Sequence, residues 1–255
     1  MKLETRREQI LAWLAEAGFV GLDDLAARFA VSKMTIHRDL DDLEAAGLLR
    51  KLRGGASIEA SAQFEADYRY RALRHVEAKR QIARAAADRV ETGMRVMLND
   101  GSTAALLAEE IALRGLGVTI ITNNHAAIHV LQEAASVTLI TLGGRYSRKF
   151  HCATGPMVQA EIAMMRADLA FISSPAIDAR ACYHMDEGVR AIKAAMIAAA
   201  ARPILMAEGA KFGRDALYHL ADLDAFSALV TYDLPQAHRA VWADLNLPFI
   251  DAKEI

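Results

Sequence analysis

The stretch Val31-Ser-Lys-Met-Thr-Ile-His-Arg-Asp-Leu-Asp-Asp-Leu-Glu-Ala-Ala-Gly47 decides how the N-terminal part of this chain is read. Ile36, Leu40 and Leu43 recur at i, i+4 and i+7, so the spacing predicts one amphipathic helix. Ser32 supplies an N-cap, Val31 can pack on Ile36 as a hydrophobic staple, and Gly47 supplies the C-terminal stop. At about 100° per residue the side away from the apolar stripe carries Met34, Thr35, Arg38, Asp41 and Asp42, with Lys33 and His37 on its flank. The first turns of that outer face are what a recognition helix offers to the major groove.

The neighbouring segments complete the unit. Arg6 to Ala17 carries Ile10, Leu11, Trp13, Leu14 and Ala17 in helical spacing and stops at Gly18; Leu22, Leu25 and Phe29 mark a second, short helix after Gly21. Three helices joined by tight turns make a helix-turn-helix. Leu48-Leu-Arg-Lys-Leu-Arg-Gly-Gly-Ala56 then sets a basic strand against a Gly54-Gly55 turn, as the wing of a winged helix does. Within this domain, residues 1–56, the expected DNA contacts are Ser32, Lys33, Met34, Thr35, His37 and Arg38 on the helix, with Lys51 and Arg53 in the wing. Thr35-Ile-His-Arg-Asp-Leu40, Leu43-Glu-Ala-Ala-Gly47 and Arg53-Gly-Gly-Ala56 resemble the N-terminal signature of the DeoR family of bacterial transcription regulators, with His37 where that family more often has arginine.

Charge alone does not draw this domain to DNA, because residues 1–56 hold 9 lysines and arginines and 9 aspartates and glutamates. What matters is distribution. Lys33, Arg38, Arg50, Lys51 and Arg53 lie at the start of the recognition helix and in the wing, whereas much of the acid lies later in the helix. So few phosphate contacts per copy imply that useful affinity takes more than one copy, and a homo-oligomer, dimer or tetramer, is expected.

The whole chain, 255 residues with 53% hydrophobic content, can bury a second, larger core, and a net charge of −2 argues against general polyanion binding. Cys152 and Cys182 are the only cysteines, the N-terminus has no apolar leader, and the most apolar run, Ala191 to Ala207, is broken by Lys193, Arg202 and Pro203. These features predict a cytoplasmic protein with no membrane segment. Residues 57–75 turn polar and aperiodic and read as a linker, leaving 76–255 as the second domain.

In that domain the pattern alternates. Strands are expected at Met94–Leu98, Val118–Ile121, Val137–Leu142, Leu169–Ile172, Pro203–Met206 and Ser227–Val230. Helices are expected at His75–Val90, Ala104–Ala112, Asn124–Glu133 and Glu187–Ala200. Strand–helix alternation argues for a mostly parallel α/β sheet, in which ligands bind beyond the carboxyl ends of the strands. The first such end, Asn99-Asp-Gly-Ser-Thr103, combines a carboxylate, a glycine and two hydroxyls at the mouth of a helix whose N–H groups attract anions. The second is Thr122-Asn-Asn124 and the third Leu142-Gly-Gly144. Any one of them reads equally well as a cap or a tight turn; three in succession read as a site.

Asp100-Gly-Ser-Thr103, Thr122-Asn123, Leu142-Gly-Gly144, Lys193-Ala-Ala-Met-Ile197 and Lys211-Phe-Gly213 resemble the effector domain of DeoR regulators, which is similar in fold to ribose 5-phosphate isomerase and commonly binds phosphorylated sugars. The resemblance implies that Asp100 holds sugar hydroxyls, that Gly101, Ser102 and Thr103 cradle phosphate beside Thr122, Asn123, Gly143 and Gly144, and that Lys193 or Lys211 supplies positive charge. Ala207-Glu-Gly-Ala-Lys-Phe212 departs from the family's usual Ala-Asp-Ser-Ser-Lys-Phe, and Arg180-Ala-Cys-Tyr-His-Met185 replaces a threonine-rich loop, which leaves the effector open.

Other constellations read as structure. His125 and His129 share a helix face but lack the glutamate of a metalloprotease motif. Cys152 beside His151, and Cys182 near His184, lack Cys-x-x-Cys spacing, so no metal or other cofactor is expected. Asp186-Glu187 suits the start of a helix. The sequence thus reads as a ligand-responsive transcription regulator, a repressor of carbohydrate or polyol catabolic genes released from operator DNA by a phosphorylated sugar, polyol or related metabolite. The alternative is a sugar-phosphate isomerase-like enzyme fused to a DNA-binding or interaction domain, with Asp100, Glu187 and Glu208 as acid/base candidates; a third reading has the helical unit binding protein.

Overall fold

The computed structural model describes residues 3–57 and 67–254. The chain divides into two units, residues 1–76 and 77–255.

The first unit contains α1 (Leu3–Ala17), β1 (Phe19–Gly21), α2 (Leu22–Phe29), α3 (Lys33–Ala45), β2 (Arg50–Leu52), β3 (Gly55–Ser57) and α4 (Tyr68–Leu73). Ile10, Leu14, Leu25, Ile36, Leu40 and Leu49 form its buried centre, so the apolar stripe read for residues 31–47 does face a core. Ser32 caps α3, its hydroxyl accepting from the Thr35 amide at 3.2 Å. Gly47 ends the helix with φ +69°, and the Leu48 amide returns to the Leu43 carbonyl at 2.8 Å, the wrapped termination that only a residue tolerant of positive φ allows. The wing gains a strand the sequence did not signal: three-residue β1 pairs antiparallel with β3, giving the order β1-β3-β2.

The expected linker is corrected where it is described. Residues 58–66 lie outside the described residues, and Ser57 closes β3. Asp67 caps α4 by accepting from the Arg69 amide at 2.9 Å, and Tyr70, with Leu73 three residues on, packs into the core of the first unit. Two apolar side chains at helical spacing behind an Asp cap outweigh the polar composition around them.

The second unit holds α5 (Val76–Ala87), β4 (Arg95–Leu98), α6 (Ser102–Leu113), β5 (Thr119–Thr122), α7 (His125–Leu131) and β6 (Thr138–Thr141). A hairpin of β7 (Arg145–Ser147) and β8 (Cys152–Thr154) leads to α8 (Pro156–Ala163) and β9 (Ala167–Ser173). Then come β10 (Ala176–Ile177), β11 (Ala181–His184), α9 (Glu187–Ala199), β12 (Ala200–Glu208), β13 (Tyr218–Asp222), β14 (Ala228–Tyr232), α10 (Gln236–Asp244) and β15 (Phe249–Asp251).

Seven strands form one parallel sheet in the order β15-β14-β12-β9-β4-β5-β6. Alternate residues feed two cores, as the two-residue period of a strand requires. Val96, Leu98, Ile120, Leu169 and Phe171 join α5, α6 and α7, whereas Met97, Ile121, Ala170 and Ile172 join α8, α9 and Trp242 of α10. With both faces covered, the strands read as continuous apolar runs. A small antiparallel sheet, β10-β11-β13, and the β7–β8 hairpin lie outside the expected alternation. No helix among the described residues is long and apolar enough to cross a membrane.

Candidate functional site

In the first unit, α3 turns Lys33, Met34, His37 and Arg38 outward, with Ser32 exposed at its cap and Thr35 half-buried. Ser32 and Thr35 are joined hydroxyl to hydroxyl at 2.9 Å, so both serve the helix start as well as facing outward. Lys33 forms an ion pair with Asp23, and Lys51 with Asp41, while the Lys51 amide donates to Glu44 at 2.7 Å. Arg38, on α3, and Arg53, in the β2–β3 turn, are exposed and pair with no carboxylate among the described residues.

Asp39 is not a solvent-facing acid of α3. It falls on the core stripe, buried, and accepts from Arg6 Nε at 2.6 Å and Arg7 Nε at 3.1 Å, tying α1 to α3. Arg7 also reaches Asp42, and its guanidinium pKa is raised: burial pulls it down, and the bonds to Asp39 and Asp42 outweigh that. Two of the nine cations of this domain are therefore spent inside it, and only the position of Asp39 on the buried face could have announced that.

In the second unit the sheet reverses its winding between β4 and β9: β5 and β6 extend to one side of β4, and β9, β12, β14 and β15 to the other. Open α/β sheets bind ligands in the crevice at this point, beyond the carboxyl ends. Asn99, Asp100, Gly101, Ser102 and Thr103 leave β4 there, all buried, and Ser173 and Ser174 end β9 beside them. Lys193 reaches in from α9. Its Nζ donates to the Ser173 carbonyl at 2.9 Å and lies 3.3 Å from Asp100 Oδ1, with side-chain exposures of 1% for Lys193 and 2% for Asp100. A pair so far from solvent persists because each charge answers the other and Lys193 also meets the Ser173 carbonyl.

The backbone at the crevice is set by neighbours. Asn99 Nδ2 donates to Ser173 Oγ at 3.1 Å. Asn124 caps α7 by accepting from the Ala126 and Ala127 amides and donates to the Asn99 and Gly101 carbonyls at 2.9 and 3.0 Å, clamping the Asp100 loop. Gly101 has φ −72°, so its role is space rather than a left-handed turn: a Cβ there would land on the Ser173 hydroxyl and 3.1 Å from the Ser173 Cβ. It also starts α6 with no capping side chain.

The remaining expected residues divide. Thr122 is adjacent but spent, its hydroxyl donating to the Leu98 carbonyl at 2.7 Å and accepting from the Asn124 amide at 3.1 Å. Asn123 Nδ2 donates to the Ala153 carbonyl at 2.9 Å, and its buried Oδ1 has no hydrogen-bond partner among the described residues. Gly143 and Gly144 follow β6, two strands from β4, both exposed; the Gly143 amide donates to Glu161 at 3.0 Å. Lys211 follows β12, two strands to the other side, within 3.4 Å of Glu208. Asn99 and Asn124 stood within the expected strand ends but were not counted among the contacts, and Ser173 was missed; extending the strand-end rule from the first three strands to Ile172-Ser-Ser174 would have found Ser173.

At the hairpin, Tyr146 Oη lies 2.6 Å from His151 Nδ1, and burial together with the nearby His125 lowers the His151 pKa. Cys152 and Cys182 are buried thiols, and burial pushes Cys182 up to about 12. No cluster of three or more His, Cys, Asp or Glu among the described residues could hold a metal ion.

A capped recognition helix and wing, joined in one chain to an α/β domain with a polar crevice at its switch point, define a DNA-binding regulator with a sensing domain. Residues 6–62 match the model of the DeoR-like helix-turn-helix domain and residues 74–233 that of the DeoR C terminal sensor domain. The chain is 27% identical over 249 residues to the uncharacterized HTH-type transcriptional regulator YgbI of Escherichia coli, covering 97% of each. It is 29% identical to the glycerol-3-phosphate regulon repressor of Haemophilus influenzae, covering 92% of each, and 28% identical to the L-fucose operon activator of Escherichia coli, covering 89% of this chain and 93% of that one. The chain belongs to the DeoR family; it is a DNA-binding transcription regulator and not an enzyme. Ribose 5-phosphate isomerase A of Methanocaldococcus jannaschii aligns over 54% of each chain at a TM-score of 0.40 and 20% identity.

Proposed function

We propose that this chain represses genes of carbohydrate or polyol catabolism and leaves its operator when a phosphorylated sugar, polyol phosphate or related metabolite occupies the crevice at the β4–β9 switch. The observation that carries this reading is the buried Asp100–Lys193 pair beside the uncapped start of α6. Lys193 balances Asp100, so a phosphate can approach the α6 amides at Ser102 and Thr103 without meeting a net negative crevice. Asp100 and the Asn123 carbonyl oxygen then accept from sugar hydroxyls. Gly143, Gly144 and Lys211, at the flanking strand ends, border the ligand rather than hold its centre.

The sign of regulation rests on relatives named as repressors, including that of the glycerol-3-phosphate regulon; the L-fucose operon activator carries the opposite name. Ser32, Lys33, Met34, Thr35, His37, Arg38, Lys51 and Arg53 contact operator DNA in this reading. Arg38 reads base edges and Arg53 meets phosphate. The species on DNA is at least a dimer in the cytoplasm, on half-sites about 10 base pairs or a multiple apart. Ligand shifts the population toward subunit arrangements whose recognition helices no longer match those half-sites.

Thermal unfolding of the full chain against aldose, ketose and polyol phosphates and their unphosphorylated counterparts tests the sensor. A ligand at 100 times its Kd adds about 2.7 kcal/mol to native stability. Stabilisation by one phosphorylated compound, absent with its unphosphorylated form, is expected; a panel in which only unphosphorylated compounds stabilise would refute the phosphate assignment.

A further inference from the structure

At the edge of the large sheet opposite the crevice, where β9, β12 and β14 begin, the strands and the end of α5 enclose a cleft of about 450 Å³. Leu169, Ile204, Ala228 and Ile250 give it an apolar wall, and Arg89 and Arg202 line it as well. Arg89, two residues past α5, is half-buried; its Nε is sealed from solvent with no acceptor among the described residues, and it makes no other hydrogen bond or ion pair with them. Arg202 is exposed and makes none with them either; its charge only adds to that of Arg95 at Asp168, whose two oxygens Arg95 already holds.

Buried guanidinium nitrogens in folded proteins find acceptors, and among the described residues none of the chain's own carboxylates serves here. Asp88, also in the lining, is taken by Arg114 at 2.6 Å. Glu91 is the other carboxylate among the described lining residues, so the two arginines exceed it by one positive charge. From this we infer that the cleft is a second ligand site, for a small carboxylic acid that carries a short apolar chain. Its carboxylate meets Arg89 and Arg202, since the planar fork of a guanidinium matches two carboxylate oxygens. One surplus positive charge suits a monoanion, whereas a phosphate monoester, close to dianionic at neutral pH, would leave the cleft negative. The apolar wall takes the chain of the acid out of water. The crevice opens at the carboxyl ends of the strands and this cleft at their amino ends, so the two can be filled together, and the site stands whether or not the crevice takes a phosphorylated sugar.

Phenylglyoxal, which modifies arginine side chains, reads this site residue by residue in the full chain when the peptides are quantified by mass spectrometry. Butyrate is the probe, with chloride holding the ionic strength constant, and butyramide is its uncharged counterpart. Butyrate should slow modification of Arg202 and Arg89 at least threefold, leave Arg38 and Arg53 at their original rates, and be matched by no protection from butyramide. Arg89→Gln should remove the protection of Arg202 with unchanged circular dichroism; should that variant fail to fold, Arg89→Lys, which keeps the charge and loses the fork, should weaken it. Unslowed modification of Arg202, or protection that survives in the Arg89 variant, overturns the site. Equal slowing at Arg38 and Arg53 would mark an adventitious ion only and overturn it too. Stronger protection by inorganic phosphate than by butyrate overturns the assignment to a carboxylic acid.

Discussion

Replacing Lys193 by methionine keeps the stem that packs beside Ile192 and Met196 and deletes only the ammonium. Asp100 then loses its counterion at 3.3 Å and the Ser173 carbonyl a donor at 2.9 Å, at a site with no useful access to water. Breaking a buried pair from one side costs about 3–5 kcal/mol, because the surviving charge stays buried without its counterion. Removing both charges costs far less, so Lys193→Met/Asp100→Asn should recover about 1–3 kcal/mol of that loss, the sign of a coupled pair in a double-mutant cycle. Urea unfolding measures this, and the chain provides its own probe: of its two tryptophans Trp242 is buried in the second unit and Trp13 belongs to the first, so a Trp13→Phe background isolates the sensor. If Lys193→Met lies within about 0.5 kcal/mol of wild type, or the double variant is no more stable than the single one, the pair is not the desolvated, coupled element described here.

Arg38→Ala should cost about 1–3 kcal/mol of specific operator affinity in gel-shift titrations with unchanged circular dichroism, whereas Arg53→Ala should weaken binding evenly across sequences and lower the salt slope by about one. Gly101→Ala should displace the Ser173 hydroxyl from Asn99 and lower sensor stability by about 1–3 kcal/mol, and Ser173→Gly, which clears the collision, should restore part of it in chemical denaturation. Hydrogen bonds from Arg95 hold the Asp168 carboxyl down at about 2, against 3.8 for a free side chain. A depressed carboxylate stabilises in full above its unfolded pKa and loses that contribution as pH falls toward its folded one, so Arg95→Gln should flatten the loss of stability between about pH 4 and 2. The Asp168 side chain is about one-third exposed, so the change is below about 1 kcal/mol, and a wild-type-minus-variant difference that does not vary across this window contradicts it.

The elements whose signals are local were legible in the sequence. Ser32, Gly47 and the Ile36–Leu40–Leu43 stripe each act within a turn or two of helix, and six of the seven parallel strands announce themselves as apolar runs in a sheet covered on both faces. Of the seven, only β15 went unread; its three residues, Phe249–Asp251, follow a proline and end on an acid. The β7–β8 hairpin and the β10-β11-β13 sheet were missed because their pairings join short segments, β11 to β13 across more than 30 residues, that carry little period of their own. In the site, Asp100 and its glycine were visible as a strand end. That Lys193 rather than Lys211 answers Asp100 depends on α9 lying over β9, and Thr122 looked like a ligand contact because a sequence does not reveal that the Leu98 carbonyl has already taken its proton.

In this reading, occupancy of the Asp100–Lys193 crevice loosens the grip of the N-terminal unit on DNA. Fluorescence anisotropy of a labelled operator selected from random-sequence DNA, titrated with the phosphorylated compound that best stabilises the protein, tests it most directly. Wild type should release the operator at ligand concentrations near those that stabilise it, and Asp100→Asn should bind the operator with wild-type affinity and hold it throughout the titration. Release from Asp100→Asn at the same concentrations as from wild type would contradict the claim and move the sensing site elsewhere in the chain.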